Sequence, residues 1–233
     1  DIIAVVAHLD HPGMANDDIS GVAVLVELAK RFKKRKPTHT FKFILVPETI
    51  GSIAYLSHNE DLIPRVKYGV FLEMLGNNHS HSLQLSRQGA TRLDRIARSV
   101  LKRRDPSSTE GPFRTVVGND EMVWNGPGVN IPMISLSRAA HGIPHYPEYH
   151  TSDDTPSILS EKRLKESADI AFEILTILDE DYIPERLFKG PVFLSRYGLW
   201  VDWRVNKPLK RAIEQIMLRL EGDKSVFDIA EEL

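Results

Sequence analysis

The sequence predicts an α/β protein, a three-layer sandwich with a mostly parallel central sheet. Short continuous apolar runs rich in β-branched residues are typical of strands that are buried on both faces. Segments with apolar residues at helical spacing lie between these runs, and strands that alternate with helices indicate a parallel sheet covered by helices. The predicted strands are residues 2–7, 41–46, 66–74 and 131–136.

The predicted helices follow the strands in order along the chain. The first has apolar side chains at helical spacing and a cationic C-terminal end, as the helix dipole favours, before Pro37 stops it. A polar loop is predicted over 105–112. The predicted helices are residues 18–35, 51–59, 90–102 and a long amphipathic helix over 159–178.

A small second domain is predicted after the sandwich. The composition changes near residues 184–191, and the segments 208–220 and 226–233 are typical of a helix, a turn and a second helix. We therefore predict an α/β domain over 1–185 and an appendage over 186–233. The chain opens with a strand and without Met, so we expect it to be a piece of a longer protein.

The composition excludes several classes of function. The 233 residues are 42% hydrophobic and 27% charged, an ordinary globular balance, and no apolar run approaches the roughly 18–20 residues of a membrane span. The 30 Lys and Arg against 32 Asp and Glu give no electrostatic case for nucleic acid or an anionic membrane as partner. The chain has no Cys, so a metal would have to be held by His, Asp and Glu, and a cytoplasmic location is expected.

Histidines and acidic residues follow nearly every predicted strand. In open α/β sheets, ligands bind at the carboxyl ends of the strands, and imidazole with carboxylate is a common ligand set for metals. Glu73 is difficult to explain as a surface residue, because it interrupts an apolar strand and a buried carboxylate is costly unless it is paired or metal-bound. The candidates are His8, Asp10, His11, Asp17, Asp18, Glu48, Glu73, Asp120, Glu121, Arg138, Glu148 and His150.

Several of these candidates also have an ordinary structural explanation. Asp17 and Asp18 precede a helix, where the helix dipole favours carboxylates without any ligand. Glu48 could be a solvated surface residue, and a single histidine at a strand end is usually a cap. Taken together and in this order, the residues favour a metal site over these separate explanations.

At these positions the sequence resembles the co-catalytic zinc aminopeptidases, a family that also contains the glutaminyl cyclases. The motifs run in the family's order over residues 1 to about 180. The resemblance implies a zinc-exopeptidase-like sandwich, one or two zinc ions, and a peptide or aminoacyl small molecule as substrate. The matching motifs are His8-Leu9-Asp10, Ala15-Asn16-Asp17-Asp18-Ile19-Ser20-Gly21, Glu48 before Gly51-Ser52, Glu73-Met74-Leu75-Gly76, Asn119-Asp120-Glu121 and His150-Thr151-Ser152-Asp153-Asp154.

Residues 10–17, 47–52 and 147–152 resemble more closely a bacterial aminopeptidase-like branch, some of whose members are linked by name to polysaccharide biosynthesis. That branch ends in a winged-helix module. The resemblance therefore implies that residues 186–233 contain the start of such a module, which would offer a surface for a protein partner or a second copy of the chain. It also implies that an N-terminal portion has been removed.

The resemblance implies a metal-binding role for five residues. Asp17 would bridge two metal ions. His8 or His11, with Glu73, would complete one position. His150, with a carboxylate from the end of the second strand, would complete the other. The metal would activate water and polarise a carbonyl group.

The family uses two adjacent glutamates, one as base and one as metal ligand, and this chain has only Glu48 there. Glu48 is therefore predicted to be either base or ligand, and Glu121 or Glu148 would supply the base if Glu48 is a ligand. Arg87, Arg138 and Glu148 are the predicted substrate-binding residues. Three functions follow: a metal-dependent aminopeptidase-like hydrolase, a single-zinc acyltransferase or cyclase-like enzyme, or a catalytically silent metal-binding scaffold.

Overall fold

A six-stranded mixed sheet forms the centre of the first of two units in the computed structural model, which describes residues 1–233. The units are Asp1–Asp179 and Glu180–Leu233. The strands lie in the order β2-β1-β3-β6-β4-β5, and every pair is parallel except β4 with β6. The predicted α/β class with a mostly parallel sheet is confirmed. The strands are β1 (Ile2–His8), β2 (Thr40–Val46), β3 (Val66–Leu72), β4 (Ser82–Gln84), β5 (Thr109–Gly111) and β6 (Met133–Ser137).

The middle of the sheet is buried on both faces, as its continuous apolar runs predict. β1 is buried at all seven residues. It pairs with β2 on one side and β3 on the other, with Val5 opposite Phe43 and Val70. Because β2 and β3 pair with its backbone N–H and C=O groups, β1 can be buried with apolar side chains alone until it ends at His8.

Helices cover both faces of this sheet. The helices of the first unit are α1 (Ser20–Lys33), α2 (Ile50–Ser57), α3 (Arg92–Arg104), α4 (Glu121–Trp124) and α5 (Glu161–Glu180). α1 packs on β1, and Arg31 of α1 pairs with Asp169 of α5 at 2.7 Å. Arg103 of α3 pairs with Glu173 of α5 at 3.0 Å, so these three helices form one layer.

The opposite face is covered by α2 and α4. Leu56 of α2 and Trp124 of α4 belong to one buried apolar cluster with Ile2, Ala4 and Val6 of β1. Alternate residues of β1 point to opposite faces of the sheet, so the remaining apolar residues of the strand face α1. The result is the predicted three-layer sandwich.

The shortest elements were not predicted. β4 and β5 have three residues each and carry polar residues, so neither has the apolar run or the alternation that marks a strand. β5 lies within the predicted polar loop 105–112. Their positions depend on backbone pairing with β6 and with each other, which local sequence does not encode.

The second unit consists of helices and irregular chain. It contains α6 (Lys207–Arg219) and α7 (Val226–Glu231), close to the predicted bounds. Asn206 caps α6, and Ser225 forms a capping box with Asp228 at the start of α7. The unit has no β-strand, and the winged-helix module stays a prediction. The first unit ends at Asp179, whereas the sequence placed the boundary after residue 185.

No helix of the protein combines the length and the apolar character of a membrane span.

Candidate metal centre

Three imidazole rings surround one buried carboxylate, that of Asp17. His8 Nε2 lies 3.0 Å from Asp17 Oδ1. His11 Nδ1 lies 3.3 Å and His150 Nε2 lies 3.0 Å from Asp17 Oδ2. The His8 and Asp17 side chains are buried, whereas the His150 side chain is 50% exposed, so the cluster opens to solvent beside His150.

The carboxyl edge of the sheet places these rings. His8 is the last residue of β1, and its Nδ1 lies 2.8 Å from Asp10 Oδ1, a hydrogen bond that aims Nε2 at Asp17. The backbone N–H groups of Asn16 and Asp17 donate to the two oxygens of Asp154, at 2.7 and 3.2 Å. Asp154 lies four residues after His150 in the loop that follows β6, so these bonds tie that loop to Asp17.

Glu48 comes to the same place from the end of β2. Its carboxylate Oε2 lies 3.3 Å from His11 Nε2, and its side chain is 28% exposed. Its backbone N–H donates to Asp10 Oδ2 at 2.8 Å, and the next N–H, of Thr49, donates to Asp120 Oδ2 at 3.1 Å. The imidazole of His11 therefore lies between the carboxylates of Asp17 and Glu48.

Glu73 follows β3 and is fully buried. One of its oxygens accepts a hydrogen bond from the side-chain amide of Asn119, and Oε1 has no hydrogen-bond partner. Burial raises the pKa of Glu73 well above its ordinary value, and the charges of Glu121 and Asp18 raise it further. The positive charge of His8 acts in the opposite direction, which places Glu73 within electrostatic reach of the histidine cluster.

Burial and neighbouring charges shift the pKa values of the ionisable groups in the cluster. Burial lowers the pKa of His8, but its contact with Asp17 and the charges of Asp18, Asp17 and Glu73 outweigh burial and raise that pKa to about 10. Burial raises the pKa of Asp17, and its contacts with the histidines, above all His8, bring the net pKa below its ordinary value. Burial raises the pKa of Asp18 well above its ordinary value. A bound cation would favour the ionised form of these buried carboxyl groups.

The donor atoms fit a zinc ion. His8 Nε2 and His11 Nδ1 are buried and lie close to Asp17 without the alignment of a hydrogen bond. The ligand atoms of His8, His11 and Asp17 lie within 4.8 Å of one another, as do those of Asp10, His11 and Glu48. Imidazole nitrogen and carboxylate oxygen are the ligands zinc takes in sites without Cys, so a metal would satisfy atoms that the protein leaves unpaired.

Glu121 bonds to Asn119 and Arg114 and not to the histidines. Its carboxylate is fully buried, accepts the Asn119 N–H at 2.9 Å and pairs with Arg114 at 3.3 Å. Asn119 thus links Glu121 to Glu73. Burial raises the pKa of Glu121 above its ordinary value. This carboxyl group is enclosed and already paired within the protein, and through Asn119 it supports the Glu73 segment.

Two of the predicted substrate-binding residues do not reach the cluster. Arg138 is fully buried, donates to Ser167 at 3.1 Å and to the backbone oxygen of His79 at 2.6 Å, and pairs with Glu166. Arg87 hydrogen-bonds to the side chain of Asn130. β4 runs antiparallel to β6, so the chain that follows β4 carries Arg87 toward the edge of the sheet opposite the histidines.

Glu148 has a position that suits its predicted role. It lines a cavity of about 410 Å³ next to the His150 loop, together with Asn77, His79 and Ser157. Most of these groups are polar, so the cavity suits a polar or charged part of a ligand.

Several residues of the site received no role from the sequence. Asp10 orients both His8 and the backbone of Glu48, Asp120 holds Thr49, and Asp154 holds Asp17. Each of these aspartates lies in a motif segment, but its partners are backbone N–H groups in other segments, and these come within reach only when the loops have folded. The one signal in the sequence was that the motifs contain more carboxylates than a metal site needs.

Residues 1–181 match the family described as a domain of unknown function, DUF4910. The chain belongs to this family. A relative from Clostridium acetobutylicum is 31% identical over 179 residues, which are 77% of this chain and 40% of the relative. Its provisional name is a polysaccharide biosynthesis protein with an aminopeptidase-like domain.

Solved structures share the fold of this DUF4910 chain. A candidate peptidase from Clostridium acetobutylicum is 27% identical with a TM-score of 0.86, over 99% of this chain and 52% of that one. An aminopeptidase from Aneurinibacillus sp. is 27% identical with a TM-score of 0.65, over 82% and 46%. The chain thus spans about half the length of these relatives or less.

Two more distant structures share the fold alone. They are a zinc aminopeptidase from Bacillus subtilis, 21% identical with a TM-score of 0.64 over 75% of this chain and 45% of that one, and a glutaminyl cyclase from Bacteroides thetaiotaomicron, 18% identical with a TM-score of 0.62 over 75% and 72%. The predicted resemblance to zinc aminopeptidases and glutaminyl cyclases is confirmed.

Proposed function

We propose that the chain is a zinc-dependent, aminopeptidase-like hydrolase that removes an N-terminal amino acid or cleaves a related amide bond. The observation that carries the proposal is the arrangement of three imidazoles around the Asp17 carboxylate, with the Glu48 carboxylate beside His11. The aminopeptidase fold of the relatives supports it.

The two oxygens of Asp17 suit a bridging role. Oδ1 lies next to His8, and Oδ2 lies next to His11 and His150. His8, Asp17 and Glu73 would hold one ion, and Asp17, His11 and His150 would hold a second. Three protein ligands are typical of a catalytic zinc site, because a position stays open for water or substrate.

This assignment accounts for the single glutamate. In the zinc aminopeptidases that the sequence resembles, one residue of a glutamate pair is a metal ligand. His11 takes over that task here, because its Nδ1 faces Asp17. Glu48 is then free to act as the base.

When bound, zinc polarises the amide carbonyl and lowers the pKa of water. Glu48 accepts the proton of the attacking water and returns it to the leaving amine, for which its partial exposure and its position beside His11 are suitable. Asp10 fixes the positions of His8 and Glu48 relative to each other, since one of its oxygens binds the His8 ring and the other accepts the backbone N–H of Glu48. A peptide or aminoacyl small molecule is the proposed substrate.

The test is hydrolysis of a panel of aminoacyl p-nitroanilides with added zinc, with and without a chelator. Glu48→Gln should lower kcat by a factor of about 100 or more while zinc content stays unchanged, because it removes the proton acceptor and keeps the side-chain shape. Glu121→Gln is the matched control and should retain most activity. If Glu121→Gln abolishes hydrolysis and Glu48→Gln does not, the assignment of the base is wrong.

A single-zinc acyltransferase or cyclase-like enzyme is the second candidate. The presence of one glutamate where the aminopeptidases have two favours it. Elemental analysis separates the candidates, because the hydrolase proposed here binds two equivalents of zinc and the cyclase-like enzyme binds one. A protein that binds zinc and turns over no amide or cyclisation substrate would support the metal-binding scaffold instead.

A further inference from the structure

We propose that Ser20 is a positioning residue of the metal centre, because its hydroxyl joins the segment that carries Asp17 to the segment that carries Glu73. Ser20 is the first residue of α1 and is 1% exposed. The inference rests on the proposed function and deepens it, since it names the group that fixes the separation of two proposed metal ligands. Ser20 itself would contact neither the metal nor the substrate.

The hydroxyl of Ser20 makes one hydrogen bond to each of the two segments. Its Oγ donates to the backbone oxygen of Asn16 at 2.7 Å and accepts the backbone N–H of Leu75 at 2.7 Å. A hydroxyl has one proton and two lone pairs, so it can make both bonds at the same time. Asn16 directly precedes Asp17, and Leu75 lies two residues after Glu73. The hydroxyl is therefore a short, buried link between the two segments.

The segment after Glu73 needs hydrogen-bond acceptors outside the sheet, because β3 ends at Leu72. The N–H groups of residues 74–76 each donate to a side chain of the segment around Asp17. Without these acceptors the buried N–H groups would destabilise the segment, so the position of Glu73 depends on side chains next to Asp17. The three bonds are Met74 N–H to Asp18 Oδ1 at 3.0 Å, Leu75 N–H to Ser20 Oγ at 2.7 Å and Gly76 N–H to Asn16 Oδ1 at 2.9 Å.

The two segments approach each other too closely for a longer link. A Cβ at Gly76 would lie 3.2 Å from the Cβ of Ser20, which is tighter than an ordinary contact. Glycine at position 76 therefore lets the backbone come within reach of a short side chain. A serine hydroxyl matches this separation.

Ser20 is the member of this set whose removal changes position alone. Asn16 and Asp18 are covalent neighbours of Asp17, and Asp18 has an ionisable group, whereas Ser20 is uncharged and three residues away. Serines in helices often donate to the carbonyl group four residues earlier without any further role. That habit explains the bond from Ser20 to Asn16, but it does not explain the bond that Ser20 accepts from Leu75.

Ser20→Ala in the full chain tests the role, with Co²⁺ as a spectroscopic probe and with zinc affinity measured by competition with a chromophoric chelator. The visible absorption of bound Co²⁺ depends on the number and geometry of its ligands, so a displacement of Glu73 relative to Asp17 should change the spectrum. Zinc binding should weaken about 10- to 100-fold, as is typical when a group that orients a metal ligand is removed.

Ser86→Ala is the matched control. Ser86 is also 1% exposed, and its Oγ donates to Asp94 Oδ2 at 2.6 Å and accepts the Gly89 N–H at 3.3 Å. It follows β4, whose antiparallel direction carries it toward the edge of the sheet opposite the histidines. The substitution should lower the Tm, because it also breaks two bonds of a buried hydroxyl, but it should leave the Co²⁺ spectrum and the zinc affinity unchanged.

Hydrogen exchange of the wild-type protein gives a measurement that needs no variant. Zinc would hold Asp17 and Glu73 together and so restrain local opening of both segments. We therefore expect zinc to slow exchange of the Leu75 amide by about tenfold more than exchange of the Gly89 amide, which donates to Ser86. Equal slowing of the two amides would overturn the role of Ser20.

An unchanged Co²⁺ spectrum and zinc affinity in Ser20→Ala would also overturn it, as would an equal change in Ser86→Ala. Metal binding that weakens in Ser20→Ala, without hydrolysis of any aminoacyl p-nitroanilide by the wild-type protein, supports the role and contradicts the proposed function. Hydrolysis by a protein whose zinc affinity does not depend on Ser20 contradicts the role and supports the proposed function. Absence of metal binding by the wild-type protein would overturn both.

Discussion

Asp120 should control the position of Glu48 without touching the metal centre. It is a fully buried carboxylate whose Oδ2 accepts the Thr49 N–H at 3.1 Å. Ser52, on the helix that follows Thr49, accepts the indole N–H of Trp124 at 2.8 Å. These two bonds anchor the loop that carries Glu48 to the core.

The perturbation is Asp120→Ala, and its magnitude follows from the bond it breaks. Loss of the carboxylate leaves the Thr49 N–H without its acceptor, at about 1–3 kcal/mol. Thr49 also has a left-handed backbone, with a φ of 57°, which is unfavourable for a β-branched residue. We therefore expect a loss of about 1–3 kcal/mol in unfolding free energy and relaxation of the Glu48 loop. Misplacement of a catalytic group by about 1 Å costs on the order of 100-fold in rate.

The assay combines three measurements. Urea unfolding gives the stability change, hydrogen exchange of the Thr49 amide reports on the loop, and kcat reports on Glu48, while zinc content should stay constant. Asp120→Asn is the control, because its side-chain oxygen can still accept the Thr49 N–H and it should retain protection and most activity. If the Thr49 amide stays protected in Asp120→Ala, or if kcat is unchanged while the loop is exposed, the reasoning is refuted.

Three further predictions concern pH, packing and metal. Burial and the charge of Arg138 outweigh the effect of Asp105 and lower the pKa of His81 from 6.5 to about 4. Between these pH values the unfolded chain binds more protons than the folded chain, so the free energy of unfolding should fall by about 3 kcal/mol from pH 6.5 to 4. Urea titrations should show a smaller fall in His81→Gln. A Cβ at Gly21 would overlap the Asp18 carboxylate and the Leu72 backbone oxygen, whereas a Cβ at Gly69 would overlap only the flexible end of the Met133 side chain. Gly21→Ala should therefore lower the stability of the fold by about 1–3 kcal/mol, and Gly69→Ala by clearly less. Equal losses of stability in thermal melts would contradict the structure. Zinc at a hundredfold excess over its dissociation constant should stabilise the protein by about 2.7 kcal/mol, and Asp17→Asn should abolish this shift of Tm.

The sequence by itself determined the fold class and predicted a set of candidate metal ligands. Continuous apolar runs such as residues 2–7 encode burial on both faces of a sheet, and that pattern is local, so it can be read along the chain. The placement of His8 and Glu48 just after predicted strands, and of Glu73 near the end of another, predicted that they would lie at the same edge, because parallel strands end at one edge. The short strands β4 and β5 have no such pattern, since pairing with β6 alone defines them.

Only the tertiary structure decided the roles of individual side chains. The sequence left His8 and His11 as alternatives, whereas both rings face Asp17 in the folded chain. Arg138 has the charge to bind a substrate carboxylate, but folding buries it against Ser167 and Glu166. Residue type and spacing specify which chemistry is available. The direction in which each side chain points and its exposure to solvent depend on contacts between distant segments. These contacts exist only when the loops at the sheet edge pack together.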